Sequence, residues 1–328
     1  MNTRIVIVSL VGIGATVVYG QQGTIAGPSA GFVFDTSSHV LRGIRGIPGA
    51  SMIGDPVDFG FQPAWVAVSP ALDSAVVADT TGVIHLFGLT NGKPVQRTVD
   101  GLAHSQNAVY SPSGSAAALY GGGSVQMLKG LPDSPVVAGT LSLGQDSSGQ
   151  FAAASLGKTR RSTGEPLAIS DDGAYVLVVS SGSLRVIGTA GDNRRLMDVT
   201  AGALAAFAAG GHDAGVMDAA TGLWLLHDIA GTAVQQLLAG PDAHIGLPAA
   251  MAFSPEAKRI FVASAAARNV ASFDAATGAA TTLACDCTPA GLVRMGGVYR
   301  LNEFSGGPIW LLDARTPEPH LVFVPALP

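Results

Sequence analysis

The sequence predicts an all-β chain folded as a β-propeller of four-stranded blades, with seven blades favoured over six. Three observations carry that expectation. A group of four short apolar runs returns at a pitch near forty residues. The runs are almost continuously apolar, without the polar alternation of a half-exposed sheet. Turn formers are abundant, with 43 Gly and 19 Pro among 328 residues. Charged residues make up 12% and hydrophobic ones 48%, a composition that excludes both a disordered chain and a helical bundle rich in Glu, Lys and Leu.

The repeat begins, in its six clearest copies, as PAWVAVSPALDSAVVAD, NAVYSPSGSAAALYGGG, PLAISDDGAYVLVVSSG, ALAAFAAGGHDAGVMDA, PAAMAFSPEAKRIFVAS and PAGLVRMGGVYRLNEFS. Each copy continues into a second pair of runs, such as VIHLFGL with PVQRTV. Turn residues fall at Ser69, Ser111, Ser170, near Gly210, at Ser254 and near Gly296, so the steps are 42, 59, 40, 44 and 42. Four strands at this pitch is the period of a propeller blade. Strands apolar on both faces suit sheets covered on both sides, and the Ala, Gly, Val and Ser of each first strand suit a crowded axis. A parallel β-solenoid is the competing architecture, but its repeats are shorter and do not group strands in fours.

Taken in order, residues 1–20 read as a secretory signal peptide: Arg4 precedes an apolar stretch from Ile5 to Val18 that is too short to span a bilayer, and small residues Val18 and Gly20 precede a cut near Gln21. The remainder, 21–328, reads as a single propeller domain, secreted or periplasmic. Residues 30–61 read as a degenerate blade or as a hairpin in another phase, because FVFDTSS resembles the third-strand pattern of ASFDAAT. Residues 62–325 hold six complete blades, and 142–160 read as an inter-blade insertion.

An exported chain meets oxidising conditions, which directs attention to the pair Cys285 and Cys287. A bridge between them would close a very small ring and add little by the entropic route. A local disulfide staple and two free thiols both fit. A soft-metal site would need further ligands, and the sequence offers no His or Cys at a matching spacing.

The blades at 248–264 (PAAMAFSPEAKRIFVAS) and 166–180 (PLAISDDGAYVLVVS) are similar to those of the bacterial YVTN or lactonase-like propellers, whose repeats look like WD repeats. The resemblance runs over nearly all of residues 60–325 and rests on turn chemistry and strand periodicity. The Gly-His pair of true WD repeats is absent at the expected places, and Trp310 is not followed by Asp. What the resemblance implies is the fold. Lactonase-type members also place acids and a His around the axial channel, sometimes with a divalent cation such as calcium.

In such a fold the loops entering each inner strand and the loops joining second to third strands open on one face. Gln62, Gln106, Asn107, Glu165, His244 and Thr288 lie on the first set. Asp79, Thr80, Ser180, Asp218, Arg268, Asn269 and Glu303 lie on the second. From these, Gln62, Asp79, Gln106, Asn107, Glu165, His244, Asn269 and Glu303 are the candidate ligand-binding residues of a polar axial face, although Asp and Thr in such loops also serve as ordinary turn formers. No nucleophile elbow, zinc-type motif or phosphate loop occurs, so no catalytic residue and no metal ligand is assigned. A net charge of −5, with no basic cluster beyond Arg160-Arg161 and Arg194-Arg195, excludes nucleic acid as the expected partner. The favoured function is a binding scaffold for a protein, peptide or glycan, acting as a monomer with no membrane span after signal removal and no cofactor. The alternative is a lactonase-like hydrolase using Glu165, Asp79 or Glu303 with His244, in which a divalent cation could take part.

Overall fold

The computed structural model describes residues 28–89, 93–143, 166–241, 243 and 245–326. The leader expected over 1–20 lies outside the described residues. The insertion expected over 142–160 starts at the end of the outer strand Val136–Ser142, and from residue 144 it too lies outside them.

Seven antiparallel sheets form a β-propeller. Six have four strands, over 63–97, 107–142, 166–198, 204–239, 248–284 and 293–324, and the first, over 29–56, has three among the described residues. Within each sheet the strands lie in chain order, a simple meander from the axis outward. No helix among the described residues is long and apolar enough to cross a membrane.

Seven apolar clusters join the sheets, and the fully buried members of each come from two consecutive sheets. Between the fifth and sixth blades, Leu204, Leu223 and Leu225 meet Phe253, Ile260 and Phe273. Between the last and the first, Val298, Ile309, Leu311 and Val324 meet Val33, Ile44 and Ile53. Among the described residues the ring therefore closes by apolar contact between the first and last blades, with no strand shared between their sheets. Middle strands are sealed on both faces: Ala75, Val76, Val77 and Ala78 of Ser74–Asp79 are at most 1% exposed. That double burial explains why the runs show no polar alternation.

The repeated serine has a structural reason. Ser69, Ser111, Ser170 and Ser254 are all buried at the hairpin after the innermost strand. The amide of each donates to the carbonyl five residues on, at 2.8–2.9 Å. In the last three, the hydroxyl also accepts the amide of that residue at 3.0–3.1 Å. Three residues past each serine the backbone turns left-handed, at Leu72 (φ 63°), Gly114 (φ 86°), Gly173 (φ 67°) and Ala257 (φ 56°). Glycine suits that geometry, and a β-carbon on Gly114 would strike the Ser69 hydroxyl of the preceding blade. Leu72 and Ala257 adopt it at a cost.

The first blade is out of phase with the rest. Its strand Ser29–Asp35 ends at a carboxylate that accepts the Ser37 and Ser38 amides and hydroxyls. Asp79 and Asp218 make the same kind of cap at the ends of second strands. Asp35 pairs with Phe304, in the loop after the second strand of the last blade, while Gly31 abuts Met295 at the end of that blade's innermost strand. Ser29–Asp35 therefore runs like a second strand, counter to the six inner strands, yet it stands innermost in its own sheet. The likeness of FVFDTSS to ASFDAAT lies in the same cap, since Asp274 at the end of a third strand accepts the Ala276 and Thr277 amides and the Thr277 hydroxyl.

Two measurements test this description. In denaturant unfolding, Ile309→Ala at the closing interface and Leu223→Ala at an interior one should each cost about 2–5 kcal/mol; a neutral Ile309→Ala would mean that the ends do not seal. Ala257→Gly should stabilise the fold by about 1 kcal/mol, because relief of left-handed strain outweighs the added chain entropy; a loss would contradict the turn geometry.

Candidate functional site

Inner strands from all seven blades surround an axial cavity of about 350 Å³. Its wall is made of small and medium apolar side chains because seven strands converge there and only short side chains leave space. Val66 and Val68, Ala108, Ile169, Ala206, Met251 and Leu292 contribute from six blades, while Phe32 and Phe34 contribute from the first. The out-of-phase first strand thus supplies the two aromatic rings of its side of the chamber.

Only two charged residues border the cavity among the described residues, Arg294 and Arg300. Arg294 lies at the end where the inner-strand hairpins turn. Its Nε donates to the Gly296 carbonyl and its Nη1 to the Pro112 carbonyl, each at 2.9 Å, so it reaches from the last blade to the third. Beside it, the Gly296 amide donates to the Pro70 carbonyl of the second blade at 2.7 Å. Arg300, at the opposite end, is buried and donates to Glu303 Oε2 at 2.6 Å and to the Asn302 carbonyl at 3.1 Å.

The described polar residues anticipated for an axial face do not line the cavity itself. None of Gln62, Asp79, Gln106, Asn107, Asn269 and Glu303 lines the cavity, and Glu165 and His244 lie outside the described residues. Gln62 and Gln106 are exposed in the loops before inner strands. The Asn107 side-chain carbonyl accepts the Ala108 amide at 2.8 Å. Asn269 starts a third strand with a buried side-chain oxygen. Glu303 holds Arg300. Asp79 is consumed by its own turn: it accepts the Thr81 hydroxyl and amide, the Val83 amide and an imidazole nitrogen of His85. The Thr81 hydroxyl above all, with His85 and the two amides, holds its carboxyl well below the usual carboxylate range. Asp218 is fully buried, accepting the Thr200 hydroxyl and the Thr200 and Ala220 amides. Among the described residues the cavity wall is largely apolar, and the anticipated acids Asp79, Asp218 and Glu303 are engaged by neighbouring groups.

Cys285 and Cys287 form a disulfide, buried in the cluster between the last two blades. The Arg268 guanidinium donates to the Cys287 carbonyl at 3.2 Å. Among the described residues, no three His, Cys, Asp or Glu side chains stand close enough together to hold a metal ion.

Sequence reasoning missed the two arginines. For Arg294 a signal was present: it is a lone charge inside GLVRM, where the other copies carry Ala or Val. It also missed the histidine pairs at the turn side, His212 with Asp172 and His227 with Asp213, each at 2.9 Å.

No protein-family model matches the chain, and no curated protein matches it in sequence. Solved structures do. The chain is similar to hydrazine synthase of Kuenenia stuttgartiensis, at 12% identity over 93% of this chain and 98% of that one, with a TM-score of 0.52. It is similar to a protein of unknown function from Desulfotomaculum acetoxidans, at 12% identity, 90% and 99% coverage and a TM-score of 0.57. It is also similar to a putative 6-phosphogluconolactonase from Bacteroides fragilis, at 13% identity, 90% and 97% coverage and a TM-score of 0.52. The shared feature is the fold. The chain is a seven-bladed β-propeller.

The His227 pair gives this description a titration test. The Asp213 carboxylate on Nδ1, and then the Gln236 side-chain oxygen on Nε2, favour the charged imidazole and raise its pKa above 6.5. A raised folded-state value stabilises the fold below the unfolded value, and that small, solvent-screened contribution is lost as pH rises through the folded one. NMR titration should place the His227 midpoint above 6.5, and Asp213→Asn should lower it; an unchanged midpoint in the variant would refute the pairing.

Proposed function

We propose that the protein is an exported binding propeller that holds a small, largely apolar ligand in its axial chamber. The observation that carries this reading is the chamber itself. Its volume of about 350 Å³ falls within the range of small-molecule sites, and its wall is apolar with a few polar groups at the ends, the usual constitution of such sites. Export is supported by the leader pattern at 1–20 and by the Cys285–Cys287 disulfide, which suits an oxidising compartment.

A lactonase-like hydrolase has less support. Its likeness to this chain is one of fold, and fold does not carry function. A hydrolase would need a carboxylate free to move a proton or hold a cation, whereas, of its acids among the described residues, Asp79 is engaged by its own turn and Glu303 is paired with Arg300.

The test is binding of an apolar fluorophore, 1-aminoanthracene. The full chain should bind one equivalent with enhanced emission. Ala206→Trp, which fills the chamber from the fifth blade, should abolish that binding while leaving the melting temperature of the fold close to the parent's; Ala252→Trp from the sixth blade serves as a second plug. Emission that is absent in the parent, or unchanged when the chamber is plugged, would refute the reading.

A further inference from the structure

We propose that the ligand is a carboxylate-bearing amphiphile, with its apolar tail in the chamber and its anionic head on Arg294. This rests on the chamber being a binding site, as proposed above, and adds the chemistry and orientation of what it binds.

The two ends of the chamber differ in charge. At one end Arg300 is neutralised by Glu303 at 2.6 Å. At the other, Arg294 forms no ion pair with any described residue; its two hydrogen bonds go to backbone carbonyls, from Nε and Nη1. Those bonds fix the guanidinium across the channel and leave Nη2 with no protein acceptor among the described residues. A tie across the channel floor needs only such carbonyl contacts and could be made by a neutral amide. A half-buried positive charge without a counter-ion is costly, and the cost is recovered when an anion fills the place.

The rest of the wall sets the remainder of the molecule. Apart from the two guanidiniums and the hydroxyls of Tyr110 and Ser111, the wall side chains are aliphatic and aromatic, from Phe32 and Phe34 on one side to Ile169, Ala206 and Met251 on the other. A short polar acid would leave that surface wet, and a polyanion would meet too few donors, since Arg294 is the only unneutralised cation at the cavity among the described residues. A single carboxylate on an unbranched apolar chain matches both features, and guanidinium suits carboxylate geometry.

Isothermal titration of the full chain with decanoate, decanol and decylammonium tests this. Decanoate should bind the parent about tenfold or more tightly than decanol or decylammonium, a preference of the size expected for one charge-assisted contact. Arg294→Gln should erase that preference without changing decanol binding, and Arg294→Lys should restore part of it. Melting curves of the variants report whether they fold; if Arg294→Gln does not, the order of the three ligands on the parent still decides the matter. Decanoate and decanol binding alike, or decylammonium binding best, would overturn the assignment of Arg294 and leave the chamber reading intact. Failure of decanoate and decanol alike to bind the parent would overturn both.

Discussion

The constraint on which this molecule depends is that every sheet must be covered on both faces by a neighbour. An isolated four-stranded sheet of Ala, Val, Leu and Ile would expose two apolar faces to water. Arranged radially, each sheet covers the next, and seven clusters seal the ring. The arrangement has no natural end, so the first and last blades must seal each other as tightly as any interior pair. They do so through Val33, Ile44 and Ile53 against Val298, Ile309 and Leu311, all of which are largely or wholly buried.

That constraint also creates the chamber. Sheets packed face to face around an axis bring their inner strands together but cannot merge them, since each is already hydrogen bonded outward to its own sheet. The space left between them takes its character from the side chains that face it. Because the inner strands carry Ala, Val, Ile and Met, the space is apolar. Because one of them carries Arg294, it is also positively charged at one end. The acids are spent separately: Asp79 and Glu303 on their own loops, and buried Asp218 on its own turn and on Thr200 ahead of its blade.

The fold was legible in the sequence because its determinants are local and repeated. A buried serine closes the same hairpin at Ser69, Ser111, Ser170 and Ser254, and apolar runs mark strands sealed on both faces. The first blade was harder to place because Ser29–Asp35 carries an Asp cap of the kind that ends second and third strands elsewhere while standing innermost in its sheet. The site was less legible. Loop position does reveal which face a polar residue occupies, but not whether its side chain is already spent. Asp79 bonds to its own turn within six residues, an interaction that competes with any ligand. Arg294, in contrast, stands out in GLVRM as a lone charge, but its partner Pro112 lies 182 positions away, where local pattern does not point.

Hydrogen exchange along the chain tests most directly whether the ring is sealed between its ends. Amides of the middle strands beside the seam, Val40–Ile47 in the first blade and Ile309–Asp313 in the last, should be protected to the same degree as those of Arg259–Ser264 in the sixth. Rapid exchange confined to the first and last blades, with the interior blades protected, would show an open ring and contradict the account.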